Sequence, residues 1–299
     1  MSALPMVVNE ALVDARGQLV EPGPVPGECT AAQVPAVPAY RAQQRPVARC
    51  WSGVFIGLWL LLWWALTAWQ VVPPLFLPAP HAVVQALQQA WQGELQGGES
   101  LWVHTVWSAA RVLLAFGLAM LTAIPVGLAM GVSAWAQRAL DPLLEFYRPL
   151  PPLAYLPLVV IWLGIDEGAK VLLIYLACFA PIALATRAGT QQASAEQRHA
   201  ARSLGATPAQ VVWHVVIPAA LPQVFVGLRI AMGFAWTTLV AAEMVAATQG
   251  LGQMVLNASN FLRTDVVVMG IFVIGLIALA LDAVLRWLER RLLPWHVVS

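Results

Sequence analysis

Apolar residues in this chain come in long unbroken runs instead of recurring on one face of a helix or strand. A helix needs about 20 apolar residues to cross roughly 30 Å of hydrocarbon. Six segments predict crossings: residues 51–72, 103–131, 153–165, 169–189, 222–247 and 266–288. Pro73-Pro74 stops the first, because proline cannot continue a helix. The second is longer than needed and carries Pro125, so tilt or a kink is expected. The third is short and follows a cluster of prolines. Residues 75–91 predict a surface helix that starts near Pro80. Residues 1–50 break the pattern: Pro22, Pro24, Pro26, Pro35 and Pro38 interrupt a stretch rich in Gln, Ala and Gly, which predicts a flexible tail. The start of that tail has no basic cluster, and no apolar run precedes Trp51, so it does not read as a secretory signal and is expected on the cytoplasmic side. The chain thus divides into a tail, 1–50, and a membrane domain, 51–299, with a sizeable loop at about 191–222.

Composition agrees, since 60% of residues are hydrophobic, 10% are charged and the mean hydropathy is +0.73. A soluble domain does not carry that balance, so lipid must solvate much of the surface. The net charge is +1 with scattered basic residues, which excludes a nucleic-acid footprint. Cys29, Cys50 and Cys178 have neither disulfide-framework nor metal-ligand spacing. Lys and Arg accumulate in cytoplasmic loops. With the tail inside, the inner segments carry Arg16, Arg41, Arg45, Arg49, Arg138, Arg148, Arg187, Arg198, Arg202, Arg286, Arg290 and Arg291, whereas the outer loops carry only Lys170 and Arg263. That asymmetry fits six crossings with both termini in the cytoplasm.

Catalytic signatures are missing: the sequence has no GxxxxGK[ST], HExxH or GxGxxG pattern. No catalytic residue, metal ligand or cofactor is assigned to the chain, and if ATP drives it, a partner must bind the ATP and its magnesium. A secondary transporter is expected to show repeated halves with interrupted helices, and none is visible between 51–164 and 169–299. An intramembrane enzyme needs converging His, Asp, Glu or Cys groups, and none cluster in the sequence.

The loop 191–222 is too well capped for a linker. Ser194 with Gln197 and Thr207 with Gln210 form two capping boxes, Pro208 suits a first turn, and Gly205 stands where a left-handed cap is needed. Pro218 and Pro222 are expected to end the second short helix before the next crossing. The run His199-Ala200-Ala201-Arg202-Ser203-Leu204-Gly205, followed after nine residues by Val215-Val216-Ile217-Pro218, resembles the coupling-loop motif of ABC importer permeases. That motif reads Glu-Ala-Ala, three residues, Gly, nine residues, Ile, any residue, Leu, Pro; here His199 replaces the acid, and Val215 and Ile217 are apolar substitutes. The resemblance implies that His199, Ala200, Ala201, Arg202, Gly205, Ala206, Thr207 and Pro218 couple the chain to an ATPase. The stretch from Asp141-Pro142 through Tyr147-Arg148-Pro149-Leu150-Pro151-Pro152 to Ile161-Trp162-Leu163-Gly164, with Thr238-Leu239-Val240-Ala241-Ala242-Glu243 and Arg290-Arg291-Leu292-Leu293-Pro294-Trp295-His296, is similar to the nitrate, sulfonate and taurine branch, the taurine type above all.

Membership in that branch implies an all-α fold of type I, with six transmembrane helices and a cytoplasmic coupling-helix loop. It implies a second copy of the chain, two ATPase subunits, a periplasmic substrate-binding protein and a bacterial inner membrane. The solute implied is a small organic anion, taurine first, with another aliphatic sulfonate or nitrate as alternatives.

Ionisable residues within membrane spans are functional candidates by default. Arg229 and Asp282 are expected near the cytoplasmic ends of their spans, with structural roles. Arg111 either meets an anionic solute or packs helices against a carboxylate; Glu243 either lines a cavity or pairs with a base. Trp236 and Thr237, with Thr238, either line the pathway or pack. Arg111, Trp236, Thr237 and Glu243 are therefore the candidates for the solute pathway.

Overall fold

A computed structural model of the chain describes residues 47–95 and 98–295. Most of the expected tail, and His296 at the other end, lie outside these residues. The described residues divide into two units between Phe55 and Ile56. Of the first, the beginning of helix α1 (Val47–Ala68) is described; the packing below is that of the second.

Every regular element among the described residues is helical. After α1 come α2 (Pro80–Gln92), α3 (Leu101–Val132), α4 (Ala134–Tyr147), α5 (Leu156–Leu163) and α6 (Glu167–Thr190). The remainder is α7 (Ala195–Ser203), α8 (Pro208–Val211), α9 (Ile217–Ala246), α10 (Leu251–Asn260) and α11 (Thr264–Leu292). α3, α6, α11 and the continuous stretch Pro208–Val245 are long and apolar enough to cross a membrane, and Gly53–Ala68 is a shorter apolar helix. α2 starts at Pro80 as expected, with proline in its first turn and Gly93 as a left-handed cap. The short helix α10 has no counterpart in the sequence reading.

α6 is the centre of the bundle: half of its most apolar window is buried, against 17% for α11, which lies at its edge. Small residues allow the close approaches. In α3, Gly127 and Gly131 sit against Thr186 and Thr190 of α6, and a Cβ at either glycine would overlap the threonine side chain. This is small-xxx-small packing, the usual way for helices to gain contact where lipid removes the hydrophobic drive.

The same contacts fix direction. The end of α3 meets the end of α6, and near the other end Arg111 of α3 reaches Glu167 in the first turn of α6 at 2.5 Å. α3 and α6 therefore run parallel, so residues 133–166 must return the depth of the bundle. They do so in two pieces. α4 begins beside the end of α6, where Asp141 pairs with Arg187, and α5 packs Leu156 and Val159 against Ala169 and Leu173 near the start of α6. At 1.5 Å per residue, α4 rises about 21 Å and α5 about 12 Å, so neither crosses alone. The expected crossing at 153–165 is thus corrected: it spans α4 to α5 and is interrupted at residues 148–155, where Pro149, Pro151 and Pro152 deny the helix its donors.

α9 runs antiparallel to α6, with Cys178 beside Ala231, and α11 returns antiparallel to α9, with Trp236 donating to the Ile274 carbonyl. Pro218 and Pro222 do not end a helix as expected. α8 passes through a π-turn, Val212–Val216, directly into α9, where Pro218 occupies the first turn and Pro222 the interior.

Candidate functional sites

At one end of the bundle lies the hairpin α7–α8. Its first helix begins with the expected capping box: Gln197 N–H donates to Ser194 Oγ at 3.2 Å, and Ser194 N–H to Gln197 Oε1 at 3.0 Å. The Ser194 hydroxyl also holds the exposed Glu196 carboxyl below its usual range. Gly205 has φ +85°, and Gly205 N–H and Ala206 N–H bond the carbonyls of Arg202 and Ala201, a Schellman cap. Thr207 and Gln210 form the second box, with Pro208 in the first turn. Arg198 Nη2 donates to the Thr190 carbonyl at 2.5 Å and ties the hairpin to α6.

Ala201 and Ala206 turn inward onto a small core of Ala193, Val211 and Val216. Ala201 is therefore half-buried within the hairpin itself, whereas His199, Ala200, Arg202 and Thr207 are exposed. Pro218 is half-buried at the base. Sequence reading passed over Leu204, which stands 90% exposed at the tip. Its signal was available, since the residue just before a left-handed glycine cap projects from the turn.

At the other end, Arg111 is buried in a closed set of partners. Its Nε and Nη2 hold Glu167 in a fork at 2.5 and 2.8 Å, and Nη1 donates to Glu243 Oε1 and the Gln249 carbonyl, each at 2.7 Å. The guanidinium lies 5.6 Å from the Trp107 ring. Glu243, with no exposed surface, also accepts from Ser108 Oγ at 2.7 Å and Gly252 N–H at 2.9 Å. Lys170 Nζ donates to Glu167 Oε1 at 2.7 Å. Two acids balance two bases, and α3, α6, α9 and α10 are joined through them. Of the two readings of Arg111, the geometry is that of helix packing, and Glu243 pairs with a base. Lys170, expected in an outer loop, lies buried in the first turn of α6. Its three-residue spacing from Glu167 was a legible helical pair.

Between these ends is a cavity of about 590 Å³. Its walls are the middle turns of α6 and α9 and the break between α4 and α5, and Arg148, Tyr147, Tyr155, Thr237 and Thr238 supply the polar groups. The tyrosine hydroxyls lie 3.1 Å apart. Thr237 thus lines a cavity, whereas Trp236, buried and bonded to Ile274, packs against α11. Arg148, counted from sequence among cytoplasmic loop residues, lies beside the middles of α6 and α9; the correction follows from the broken crossing. Arg229 and Asp282 bind each other at 3.1 Å, and Asp282 also binds Arg286 at 2.8 Å.

Residues 123–294 match the family described as binding-protein-dependent transport system inner membrane component. The chain is 50% identical over 241 residues to the taurine transport system permease protein of Escherichia coli (strain K12), covering 81% of this chain and 88% of that one. It is 30% identical over 264 residues to the nitrate import permease protein of Synechocystis sp., covering 85% and 95%. In fold it is similar to the MetNI methionine ABC transporter in inward-facing conformations, with a TM-score of 0.52 at 22% identity over 62% of this chain and 96% of that one. The all-helical, polytopic architecture is that of a type I importer permease. By its sequence match and its bundle, this chain belongs to the family of binding-protein-dependent transport system inner membrane components.

Proposed function

We propose that this chain is the permease subunit of an ATP-driven importer for taurine, working as a pair of copies with two ATPase subunits and a periplasmic binding protein. The reading is carried by the doubly capped hairpin with an exposed apolar tip, on a chain half identical to a taurine permease. ATP and magnesium are bound by the ATPase, because the sequence has no phosphate-binding loop. The hairpin end faces the cytoplasm: Arg138, Arg187, Arg198, Arg202, Arg286, Arg290 and Arg291 belong to that end, against Lys170 and Arg263 at the other. Both termini are then cytoplasmic.

In this arrangement His199, Ala200, Arg202 and Leu204 present the contact to the ATPase. Ala201, Gly205, Ala206, Thr207 and Pro218 hold that surface in shape. The test is ATP-dependent uptake of labelled taurine by the complex reconstituted with its ATPase and binding protein, with nitrate and other alkanesulfonates as competitors. Indifference to taurine refutes the solute. Leu204→Ser is expected to weaken co-purification of the ATPase roughly tenfold, as loss of a central apolar anchor does, and undiminished co-purification and transport would remove the hairpin from the coupling role.

A further inference from the structure

Arg148 is the cation in the middle of this bundle that the fold does not explain. It caps α4 and is exposed into the cavity, alongside residues 176–185 of α6 and 230–238 of α9, which are the central turns of two crossings. Among the described residues it forms no ion pair. An arginine at such depth is unfavourable in hydrocarbon, and is retained where it faces a polar cavity or a ligand. A second observation is independent of the first. The backbone at residues 148–151 is not helical, and irregular backbone at membrane depth is stable only when buried in protein or when it lines an aqueous cavity.

No acid stands among the groups around Arg148. Tyr147 and Tyr155 approach across the break with hydroxyls 3.1 Å apart, so one of the two O–H groups is left for a ligand. Thr237 is exposed on α9; its hydroxyl donates to the Gly233 or Phe234 carbonyl at 3.2 or 3.1 Å, and its oxygen remains able to accept. Pro181 and Phe234 complete apolar walls on either side. A planar cation with five donors, hydroxyl groups and a short apolar wall match a ligand with an oxyanion at one end and a small alkyl body. The volume of about 590 Å³ admits such a molecule with several waters.

We propose that this cavity is a binding site at mid-depth for the transported solute, in which Arg148 receives the oxyanion, a sulfonate for an alkanesulfonate, one of the Tyr147 and Tyr155 hydroxyls donates a further bond to it, and Thr237 Oγ1 accepts from a donor elsewhere on the solute. The proposal rests on the importer reading above. It moves the contact to solute from Arg111 and Glu243, which are occupied by each other, to Arg148.

The experiment uses the complete reconstituted importer and labelled taurine. Arg148→Gln is expected to lower uptake about tenfold or more, as the loss of a charge-assisted hydrogen bond does. Co-purification of the ATPase and of the second permease copy should be unchanged, because neither contact surface is touched. Arg148→Lys should retain more uptake than Arg148→Gln. If Arg148→Gln fails to assemble, Tyr155→Phe carries the test, with roughly a threefold loss expected at unchanged abundance. Parental uptake in an assembled Arg148→Gln or Tyr155→Phe complex overturns the site, as does a lysine variant no better than the glutamine one. Loss of pairing between the two permease copies in Arg148→Gln would assign the cavity to the subunit contact and also overturn it. A parent complex that takes up no oxyanion at all would instead refute the importer reading.

Discussion

Arg111 and Arg148 are both drawn deep into a bundle solvated by lipid, yet their surroundings are opposites. Arg111 directs four of its five N–H donors at Glu167, Glu243 and the Gln249 carbonyl, and only 4% of it is exposed. Arg148 faces an open cavity lined by hydroxyls and has no carboxylate beside it among the described residues. A buried charge satisfied by its own chain holds helices together; one satisfied by nothing in the chain is available to something that passes. Sequence alone ranked the two in the reverse order, because Arg111 falls inside an apolar run while Arg148 stands among prolines and reads as a loop.

Removing the closed arginine should have the largest effect. Arg111→Met leaves Glu243 fully buried with only Ser108 and Gly252 as donors, and stranding one partner of a buried pair costs about 3–5 kcal/mol. A large fall in the unfolding midpoint of the purified protein in detergent is expected, with partial recovery on adding Glu243→Leu. Parental stability of Arg111→Met would mean that the cluster is solvated and that the contrast with Arg148 is false.

The next effect extends the contrast between filled and open surroundings to α3. Gly131 faces Thr190 with no room for a side chain, whereas Gly117, on the same helix, has nothing within 4 Å. Gly131→Leu should destabilise by about 1–3 kcal/mol through overpacking, and Gly117→Leu should be neutral or slightly stabilising, since glycine inside a helix is itself unfavourable. Equal behaviour of the two variants would contradict the parallel α3–α6 contact from which the broken crossing is deduced.

That deduction marks where sequence reading ended. The four long runs that form α3, α6, α9 and α11 were legible because apolar length is a local property, and the caps of α7 and α8 were legible because Ser194-x-x-Gln197 and Thr207-x-x-Gln210 complete their bonds within three residues. The crossing made by α4 and α5 was not, since α4 carries Arg138, Asp141 and Glu145 and reads as a surface helix. Only the packing of Asp141 against Arg187 and of Leu156 against Leu173 reveals its depth. The partners of Arg111 were likewise invisible: Glu167 and Glu243 stand 56 and 132 residues away, a relation no spacing encodes. The motif groups Ala200 and Ala201 together, and only the small core under the hairpin separates them, with Ala201 packed against it and Ala200 exposed.

A smaller effect is expected at Gly205, whose surroundings are open and whose conformation alone is demanding. Nothing lies within 4 Å of a Cβ there, and φ is +85°. Gly205→Ala should therefore cost about 1 kcal/mol, the penalty of the left-handed region, and Gly205→Asn less. Hydrogen exchange of the Ala206 amide, which bonds the Ala201 carbonyl at 3.1 Å, reads the change locally. Unaltered exchange in the alanine variant would mean that the cap does not hold the hairpin.

The smallest effect on stability is expected at Arg148 itself, and it separates the two arginines most sharply. Its guanidinium has no acid partner in the chain, so Arg148→Gln breaks no ion pair and leaves no buried carboxylate behind. The backbone bond from Arg148 N–H to the Leu144 carbonyl, 2.8 Å, is unaffected by the side chain. The change in unfolding free energy should stay within about 0.5 kcal/mol, the range of substitutions that touch no packed feature. The measurement is the same detergent unfolding used for Arg111→Met, run side by side and at two salt concentrations. If Arg148→Gln unfolds as early as Arg111→Met, then Arg148 has a structural partner, the two arginines are alike, and the cavity loses the charge that makes it a site.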